Sequence, residues 1–319
     1  VRSRRQRQMC IRDRSQGAPA LVAEQGSVYS TALVEAVKAF QRNHLLKPDG
    51  VVGPGTLAEL NRSASERMDQ IRINLERLRW LSHEIEPTSV LIDVAGAEVV
   101  FLRDHAVTWQ ARTQVGRPAR PTPLLRSRIT HLTLNPTWTI PPTILKEDKL
   151  PELRRDAAGY LAANHMQVID YDGNPVDPRG VDWERPGRVM IRQSAGAHSP
   201  LGKVAIRFPN PFSVYLHDTP SQRLFDNLPR LFSSGCVRIE RVTELVDQLL
   251  VGASPSERAR ITRQWESGNT LRADLPRPVP ILMAYWTAQV GADGQVQFRP
   301  DIYGHDARLL KALEASNRI

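Results

Sequence analysis

The sequence predicts an α+β protein in which a small all-α module precedes a β-rich domain that contains a helical insertion. Two changes of hydrophobic period lead to this prediction. Apolar residues recur at helical spacing up to residue 81, whereas short β-type runs separated by turn residues begin at Ser89. A helix-type stretch and a segment rich in Pro, Gly and Asp then interrupt the β-type pattern at about 141–187. A chain of 319 residues is long enough for about two such domains.

The all-α module is predicted within residues 27–61. A first helix has an apolar face formed by Leu33, Ala36, Val37 and Phe40. Turn residues follow at 48–50 and 53–55, and a second short helix is expected from Thr56 to about Asn61. A third amphipathic helix over 65–81 has apolar residues in 3-4 spacing, and we expect the arginines of its other face to be solvated. This third helix is interpreted as a connector.

The β-rich part is predicted from a series of short runs. A hairpin turns at residues 95–97, and two further strands precede the insertion, which has a helix at 143–163. Strands return after the insertion, two helices are expected at 240–251 and 255–267, and a hairpin around GADG ends the domain. The predicted strand segments, in order, are SVLIDV, EVVFLR, AVTWQARTQVG, RITHLTLNPTW, RVMIRQS, KVAIRF, FSVYLHD, PVPILMAYWTAQV and QVQFRPDIY.

Net charge does not indicate a nucleic-acid partner. The formal charge is +9, but Val1–Arg14 contributes +5 of it through six Arg and one Asp, which leaves +4. This opening segment has no apolar periodicity, so we predict that it is non-native and exclude it from the fold; a basic targeting or nucleic-acid arm is the alternative. Mild basicity also suits an anionic polymer. No apolar run is long enough to predict an integral membrane segment, and because the first residue is Val1 we expect the natural N-terminus to be missing.

Cysteine and histidine usage limits the chemistry. Cys10 lies in the opening segment, so Cys236 is the remaining thiol, either a small buried side chain or a reactive group. The histidines lack zinc-ligand spacing, and the aspartates between 170 and 182 lack calcium-loop spacing. The prediction is therefore no metal and no cofactor.

One stretch combines the groups that thiol catalysis requires. A predicted strand ends at His217, and after 15 intervening residues comes Ser233-Ser234-Gly235-Cys236-Val237-Arg238. A thiol needs a base to become a nucleophilic thiolate, and histidine is the usual partner. Gly235 permits a tight backbone beside the thiol, and backbone N–H groups near Cys236 are positioned to stabilise an oxyanion.

This stretch resembles the motif of the L,D-transpeptidase (YkuD-type) family, in which a His is followed by Ser/Thr-His-Gly-Cys-hydrophobic-Asn. Ser234 replaces the second His of the motif and Arg238 replaces the Asn, and both changes are typical of the larger YcbB-type subgroup. That subgroup also has a peptidoglycan-binding module and a capping insertion. The catalytic resemblance covers roughly 89–305. The N-terminal segment resembles the three-helix peptidoglycan-binding module at Ala36, Val37, Phe40, Gln41, Leu46, Asp49, Gly50, Val52, Gly53, Thr56, Leu57, Leu60 and Asn61.

The resemblance implies a domain division. Residues 1–14 are the non-native segment and 15–62 the peptidoglycan-binding-like module. This module lacks a good match to the family's first helix, and truncation is one interpretation of that gap. Residues 63–87 form the connector helix. An L,D-transpeptidase catalytic domain with its capping insertion at about 141–187 spans 88–305, and 306–319 form a C-terminal helix.

The resemblance also assigns roles to residues. Cys236 is the expected nucleophile and His217 the expected base. Ser234, Gly235 and Arg238 are expected to line the site, and Arg238 to pair with a carboxylate of the stem peptide. Tyr215 is on the same strand face as His217 and is a candidate substrate contact. The last candidate, Ser233, is expected to support the turn.

The implied reaction cross-links the tetrapeptide stems of peptidoglycan. Cys236 attacks the carbonyl of the third stem residue, the terminal D-Ala leaves, and the thioester passes to the side-chain amine of a diaminopimelate residue, which gives a 3–3 cross-link. The implied partner is peptidoglycan and the implied location is the periplasm or cell envelope, with a signal or anchor missing from this sequence. The family's carbapenem sensitivity fits acylation of Cys236. The alternatives are an L,D-carboxypeptidase, attachment of an envelope protein, and a non-enzymatic wall-binding scaffold, while the oligomeric state is left open.

Overall fold

The structure, a computed structural model, describes residues 29–291 and 294–316. The predicted non-native segment 1–14, the beginning of the predicted module at 15–28, and the last three residues of the predicted C-terminal helix lie outside these ranges. Within them, a helical N-terminal module is followed by a β-rich domain, which confirms the predicted α+β class.

From residue 29 onward, the N-terminal module has two helices, α1 (Thr31–Asn43) and α2 (Pro54–Asn61). Their apolar faces meet in a small core that comprises Ala36, Val37, Phe40 and Leu60. The buried amide of Gln41 organises the loop between them, because it donates to Asp49 and accepts from the N–H of Gly50. Gly50 has φ +78°, a conformation that glycine adopts without steric cost.

Helix α3 (Ala64–Leu81) begins at a capping box formed by Ser63 and Glu66. The prediction that its arginines are solvated is wrong for Arg67 and Arg77 on one polar face, whereas Arg72 and Arg79 are exposed as predicted. Four polar residues of this face are buried, and the apolar face is largely exposed instead. The buried residues are Arg67, Gln70, Asn74 and Arg77, and the exposed ones are Met68, Ile71, Leu75 and Leu78.

The physical reason is a set of hydrogen bonds to the C-terminal part of the chain. Gln70 donates to the carbonyls of Thr287 (2.8 Å) and Arg299 (2.9 Å), and Asn74 accepts from the backbone N–H of Thr287 (2.8 Å). Arg77 pairs with Asp306 at 2.6 Å. Buried polar groups are stable when they are paired in this way, so α3 binds the β-rich domain through its polar face.

The β-rich domain is built on one large sheet. Its strands are β1 (Ser89–Asp93), β2 (Glu98–Arg103), β3 (Ala106–Gly116), β4 (Leu125–Leu134), β8 (Val204–Arg207), β9 (Leu216–His217), β10 (Leu231–Ser233), β11 (Val237–Ile239) and β12 (Leu271–Ala284). Their order is β10-β3-β11-β9-β8-β4-β12-β1-β2, and an additional pairing of β2 with β3 closes the sheet into a barrel-like ring. β1 runs parallel to β12, and β9 runs parallel to β11.

The interior of this ring is the main hydrophobic core. Residues such as Ile92, Leu132, Ile206 and Val237 have no exposed surface, and alternate positions of each strand supply them. Helix α6 (Val242–Leu249) adds Leu245 and Val246 to the same core. Helices α6 and α7 (Pro255–Glu266) confirm the two helices predicted after the thiol motif.

A separate unit lies between β4 and β8. It comprises β5 (Trp138–Thr139), α4 (Pro142–Ile144), a π-helical turn (Leu145–Lys149), α5 (Leu150–Ala163), β6 (Met166–Ile169) and β7 (Met190–Gln193). The three strands form their own sheet in the order β5-β7-β6, over a core that includes Leu153, Val168 and Ile191. The strand predicted at residues 188–194 is therefore present as β7, but it pairs inside the insertion and not with the large sheet. We call this unit, residues 138–193, the insertion.

The last described residues form a hairpin and a helix. The hairpin is β13 (Ala288–Val290) and β14 (Val296–Phe298), as predicted, and α8 (His305–Ser316) follows it. Across the described ranges, no helix combines the length and the apolar character needed to cross a membrane.

Candidate active site

The parallel pairing of β9 with β11 brings the two halves of the thiol motif together. Val237 is in register with Leu216, and Arg238 with His217. The N–H of Val237 donates to the carbonyl of Tyr215 at 3.1 Å, which extends this pairing one residue back, to Cys236 and Tyr215. Side chains two apart share a face of a strand. Tyr215, His217, Cys236 and Arg238 therefore lie on one face of two adjacent strands.

His217 is buried and held in one orientation. Its Nδ1 lies 2.5 Å from the backbone carbonyl of Asp218, which requires Nδ1 to be the protonated nitrogen and leaves Nε2 with a free lone pair. Burial lowers the pKa of His217 to about 3, and the charge of Arg238 adds to this effect. The imidazole is therefore neutral at physiological pH and able to accept a proton.

Cys236 is half-buried at the end of the turn before β11. Burial raises the pKa of its thiol, while hydrogen bonds from Tyr215 and the positive charges of Arg207 and Arg238 oppose this increase. Because burial is the largest of these effects, Cys236 rests as a neutral thiol. The thiol and the imidazole on this strand face are thus both neutral, and ionisation of the thiol requires a proton acceptor.

Tyr215 is clamped between the thiol and a cation. The guanidinium of Arg207 stacks on its ring, with 3.9 Å from the guanidinium carbon to the ring centroid. The rings of Tyr215 and His217 lie 5.6 Å apart. Burial, followed by the charge of Cys236, raises the pKa of the Tyr215 hydroxyl, which stays protonated and available as a donor.

The turn before Cys236 is fixed by hydrogen bonds within it. Ser233 Oγ donates to the carbonyl of Cys236 (2.5 Å) and accepts from the N–H of Gly235 (3.1 Å). Gly235 has φ +113°, in the left-handed range where a side chain is strained. Ser233 thus contacts the turn's own backbone, and Gly235 is required by the backbone conformation.

The loop between β3 and β4 supports this turn from outside, and sequence reasoning missed it. Thr122 is 1% exposed, and its hydroxyl donates to the carbonyl of Gly235 (2.9 Å) while accepting from the N–H of Gly116 (2.8 Å). The N–H of Thr122 donates to the hydroxyl of Tyr303 at 3.2 Å. Without a structure, the only local signal was a Pro- and Arg-rich turn, RPARPTP, between two strands.

Arg238 follows Cys236 by two residues, on the same strand face, and is in register with His217. It is half-buried and donates from a terminal nitrogen to the side-chain oxygen of Gln114 at 3.0 Å. Its Nε is buried without a hydrogen-bond partner. Gln114 is fully buried and, like Arg207, was not among the predicted site residues.

Ser234, another predicted site residue, contacts the loop between β3 and β4. It is exposed, and its hydroxyl accepts a hydrogen bond from Arg120 at 3.0 Å. Arg120 also pairs with Glu147 and Asp148 of the π-helical turn. Arg120 therefore connects the insertion to the turn that holds Cys236.

Asp218, the acidic residue next to His217, is bound to the backbone. The carboxylate of Asp218 accepts from the backbone N–H of Lys203 at 2.9 Å, on the strand face opposite to His217. In residues 29–291 and 294–316, no cluster of three or more His, Cys, Asp or Glu could hold a metal ion.

Comparisons with known proteins identify the family of the chain. The family model described as "L,D-transpeptidase catalytic domain" (YkuD) matches residues 87–261, over half of the chain, and the model described as "Putative peptidoglycan binding domain" matches residues 21–60. A curated protein of Haemophilus influenzae, described as "Putative L,D-transpeptidase", is 32% identical over 243 residues, which cover 75% of this chain and 48% of that protein. The chain thus spans about half the length of the curated relative it matches.

Two solved structures illustrate the more distant matches. The catalytic domain of the E. faecium L,D-transpeptidase acylated by ertapenem is 13% identical, with 63% of this chain and 98% of that chain covered and a TM-score of 0.32. An L,D-transpeptidase from Mycobacterium smegmatis is also 13% identical, with 62% and 58% covered and a TM-score of 0.31.

Proposed function

Because the chain belongs to the YkuD family of L,D-transpeptidase catalytic domains, we propose that it cross-links peptidoglycan stem peptides through a thioester on Cys236. The single observation that supports this most is the strand pairing that puts Cys236 and His217 on one face of β9 and β11. The neutral imidazole with a free Nε2 supports the same proposal, because a general base must be able to take the thiol proton.

In the proposed first step, His217 Nε2 accepts the proton of the Cys236 thiol. The thiolate attacks the carbonyl carbon of the third stem residue, and a tetrahedral intermediate forms. His217 then gives the proton to the departing amine, the C–N bond breaks, and D-Ala leaves. The third stem residue stays on the enzyme as a thioester.

In the proposed second step, an acceptor amine replaces the sulfur. His217 takes a proton from the side-chain amine of a diaminopimelate residue, and this amine attacks the thioester carbonyl. The C–S bond breaks, the proton returns to Cys236, and a 3–3 cross-link is released. No cofactor is needed, since the thiol and the imidazole are both regenerated.

The neighbouring groups have proposed roles in binding. The protonated Tyr215 hydroxyl is a donor for the developing oxyanion, whereas the N–H groups of Gly235 and Val237 already donate to Ser233 and Tyr215. Arg238, on the same strand face as Cys236, is a donor for a stem carboxylate. Ser234 lines the entrance, and Ser233 keeps the turn in shape.

The other parts of the chain fit a wall-associated enzyme. We assign residues 15–62 to a peptidoglycan-binding module, 63–87 to the connector, 88–305 to the catalytic domain and 306–319 to a C-terminal helix. The two family matches at 21–60 and 87–261 support the first and third of these assignments. The module and the insertion also favour the YcbB-type subgroup, and peptidoglycan as the partner favours the periplasm or cell envelope.

The test is to incubate the protein with a disaccharide tetrapeptide and to record product masses. We expect a dimer that lacks one D-Ala, and no product from Cys236→Ala. The matched control is Cys10→Ala, which removes the other cysteine of the sequence and should leave the product unchanged. Release of D-Ala without dimer would identify an L,D-carboxypeptidase instead. Absence of any product from a folded protein would leave the non-enzymatic wall-binding scaffold.

A further inference from the structure

Arg120 is the meeting point of the insertion and the thiol turn. One of its terminal nitrogens lies 3.0 Å from Ser234 Oγ and 2.8 Å from a carboxylate oxygen of Asp148. Its other terminal nitrogen lies 2.9 Å from the second oxygen of Asp148. The side chain is 11% exposed. Arg120 thus holds a carboxylate in a two-bonded fork directly beside the turn that ends at Cys236.

A second carboxylate occupies the same guanidinium. Glu147 accepts from Arg120 Nε at 3.1 Å and also contacts one of its terminal nitrogens. Both acids come from the π-helical turn Leu145–Lys149, an irregularity that is frequent at functional sites. Arg117 adds a weaker contact to Asp148 at 3.4 Å.

The arginine itself sits on a firmly held loop. The backbone of Arg120 packs so closely on Gly116 that an added Cβ there would lie 2.3 Å from the Arg120 carbonyl oxygen. The adjoining Thr122 is bonded to the thiol turn, as described above. The fork is therefore fixed relative to Cys236, whereas its two carboxylate partners belong to the separate insertion.

A donor stem peptide has two carboxylates near the bond that is cleaved. Its terminal D-Ala carboxylate and the side-chain carboxylate of its third residue flank the bond that Cys236 is proposed to attack. We propose that Arg120 binds one of these stem carboxylates, and that Glu147 and Asp148 occupy the fork as internal carboxylates that the donor displaces. This inference rests on the proposed function, since it requires a stem peptide as donor.

A structural bond between the insertion and the barrel is the competing explanation. Ion pairs with exposed carboxylates contribute little to stability. A purely structural role therefore predicts that variants of Arg120 change KM only slightly and by the same factor for every donor. A carboxylate-binding role predicts changes in KM that depend on the charge of the donor, because only a donor with that carboxylate can accept the two hydrogen bonds of the Arg120 guanidinium.

The experiment compares three donors: the disaccharide tetrapeptide, its C-terminal amide, and the form amidated at the side-chain carboxylate of the third residue. KM and kcat are measured from release of the terminal residue. In the unchanged protein, one of the two amides should have a KM about tenfold above that of the free acid, the effect of losing one charge-assisted fork. Which amide it is identifies the carboxylate.

Variants of the fork separate the two explanations. Arg120→Gln should abolish the difference between the free acid and that amide, and Arg120→Lys should keep part of it. Glu147→Gln combined with Asp148→Asn should lower KM for the free acid several-fold and leave KM for that amide and kcat unchanged. The matched control is Glu152→Gln in the same insertion, which pairs with Arg155 and contacts neither Arg120 nor Ser234.

The outcomes are distinct. Equal KM values for all three donors, or an Arg120→Gln effect of the same factor on all three, would overturn the inference and leave the proposed function standing. No turnover of the free acid by a protein whose Cys236 still reacts with iodoacetamide would overturn the proposed function, and this inference with it. Iodoacetamide labelling and the thermal midpoint also verify that each variant is folded.

Discussion

Thr122 offers a direct test of how the thiol turn is held. Replacing it with valine keeps the shape but removes a hydroxyl that serves two buried backbone groups, the N–H of Gly116 and the carbonyl of Gly235. A buried polar group left without a partner costs about 1–3 kcal/mol. Thr122→Val should therefore lower the free energy of unfolding by about 2–5 kcal/mol.

The same substitution should also slow acylation of Cys236, because the carbonyl of Gly235 is one residue from the thiol. Unfolding free energies come from urea titrations, and acylation rates come from intact-protein mass after mixing with meropenem. Thr122→Ser is the matched control, since it keeps the hydroxyl and should retain most of the stability and rate. Equal stability of the valine and serine variants would refute this account of the turn.

Three further predictions concern charge. The pKa of His217 is about 3 in the folded protein and about 6.5 in the unfolded chain, so the unfolded chain binds the proton first as pH decreases. The free energy of unfolding should therefore fall by up to about 1.4 kcal/mol per pH unit between pH 6.5 and pH 3. Urea titrations at pH 4–7 measure this pH dependence, and His217→Gln should remove the part that His217 contributes. Arg207→Met should raise the pKa of the Cys236 thiol and move the pH–rate profile of its acylation to higher pH, while Arg207→Lys should not; an unchanged profile in the methionine variant would contradict this role. Arg299 is 2% exposed against Asp93, so Arg299→Met should cost about 3–5 kcal/mol of unfolding free energy, and a loss below about 1 kcal/mol would show that the buried acid is not left unpaired.

The sequence was most informative where chemically reactive residues lie on a segment with a clear strand or turn pattern. The strand that ends at His217 and the turn before Cys236 were predicted from local pattern, and both are present. The pairing of β9 with β11 was not predictable, because parallel strands can be joined by connections of many lengths and their register depends on the whole sheet. The roles assigned to the site residues remain proposals.

The connector helix shows why a hydrophobic pattern alone misleads. Its apolar stripe and its polar stripe are adjacent, and the choice between them depends on partners more than 200 residues away. Gln70 and Asn74 bond to Thr287, so the polar stripe is buried. No local rule indicates that a backbone segment near residue 287 offers the complementary donors and acceptors.

The residues missed at the site share one property. Arg120 and Thr122 lie in an irregular loop, and Arg207 ends β8, the strand that precedes and pairs with β9. Each contacts the thiol region only through tertiary packing. The spacing of residues along the sequence does not indicate such contacts. For this reason, no function was predicted for the loop between β3 and β4.

The most direct test of the central claim is to locate the acyl group on the protein. The chain is mixed with the disaccharide tetrapeptide, stopped with acid, and digested for peptide mass mapping. The account predicts an adduct of the tetrapeptide without its terminal D-Ala on the peptide that contains Cys236, present in Cys10→Ala and absent in Cys236→Ala. An adduct on another residue, or turnover by Cys236→Ala, would contradict it.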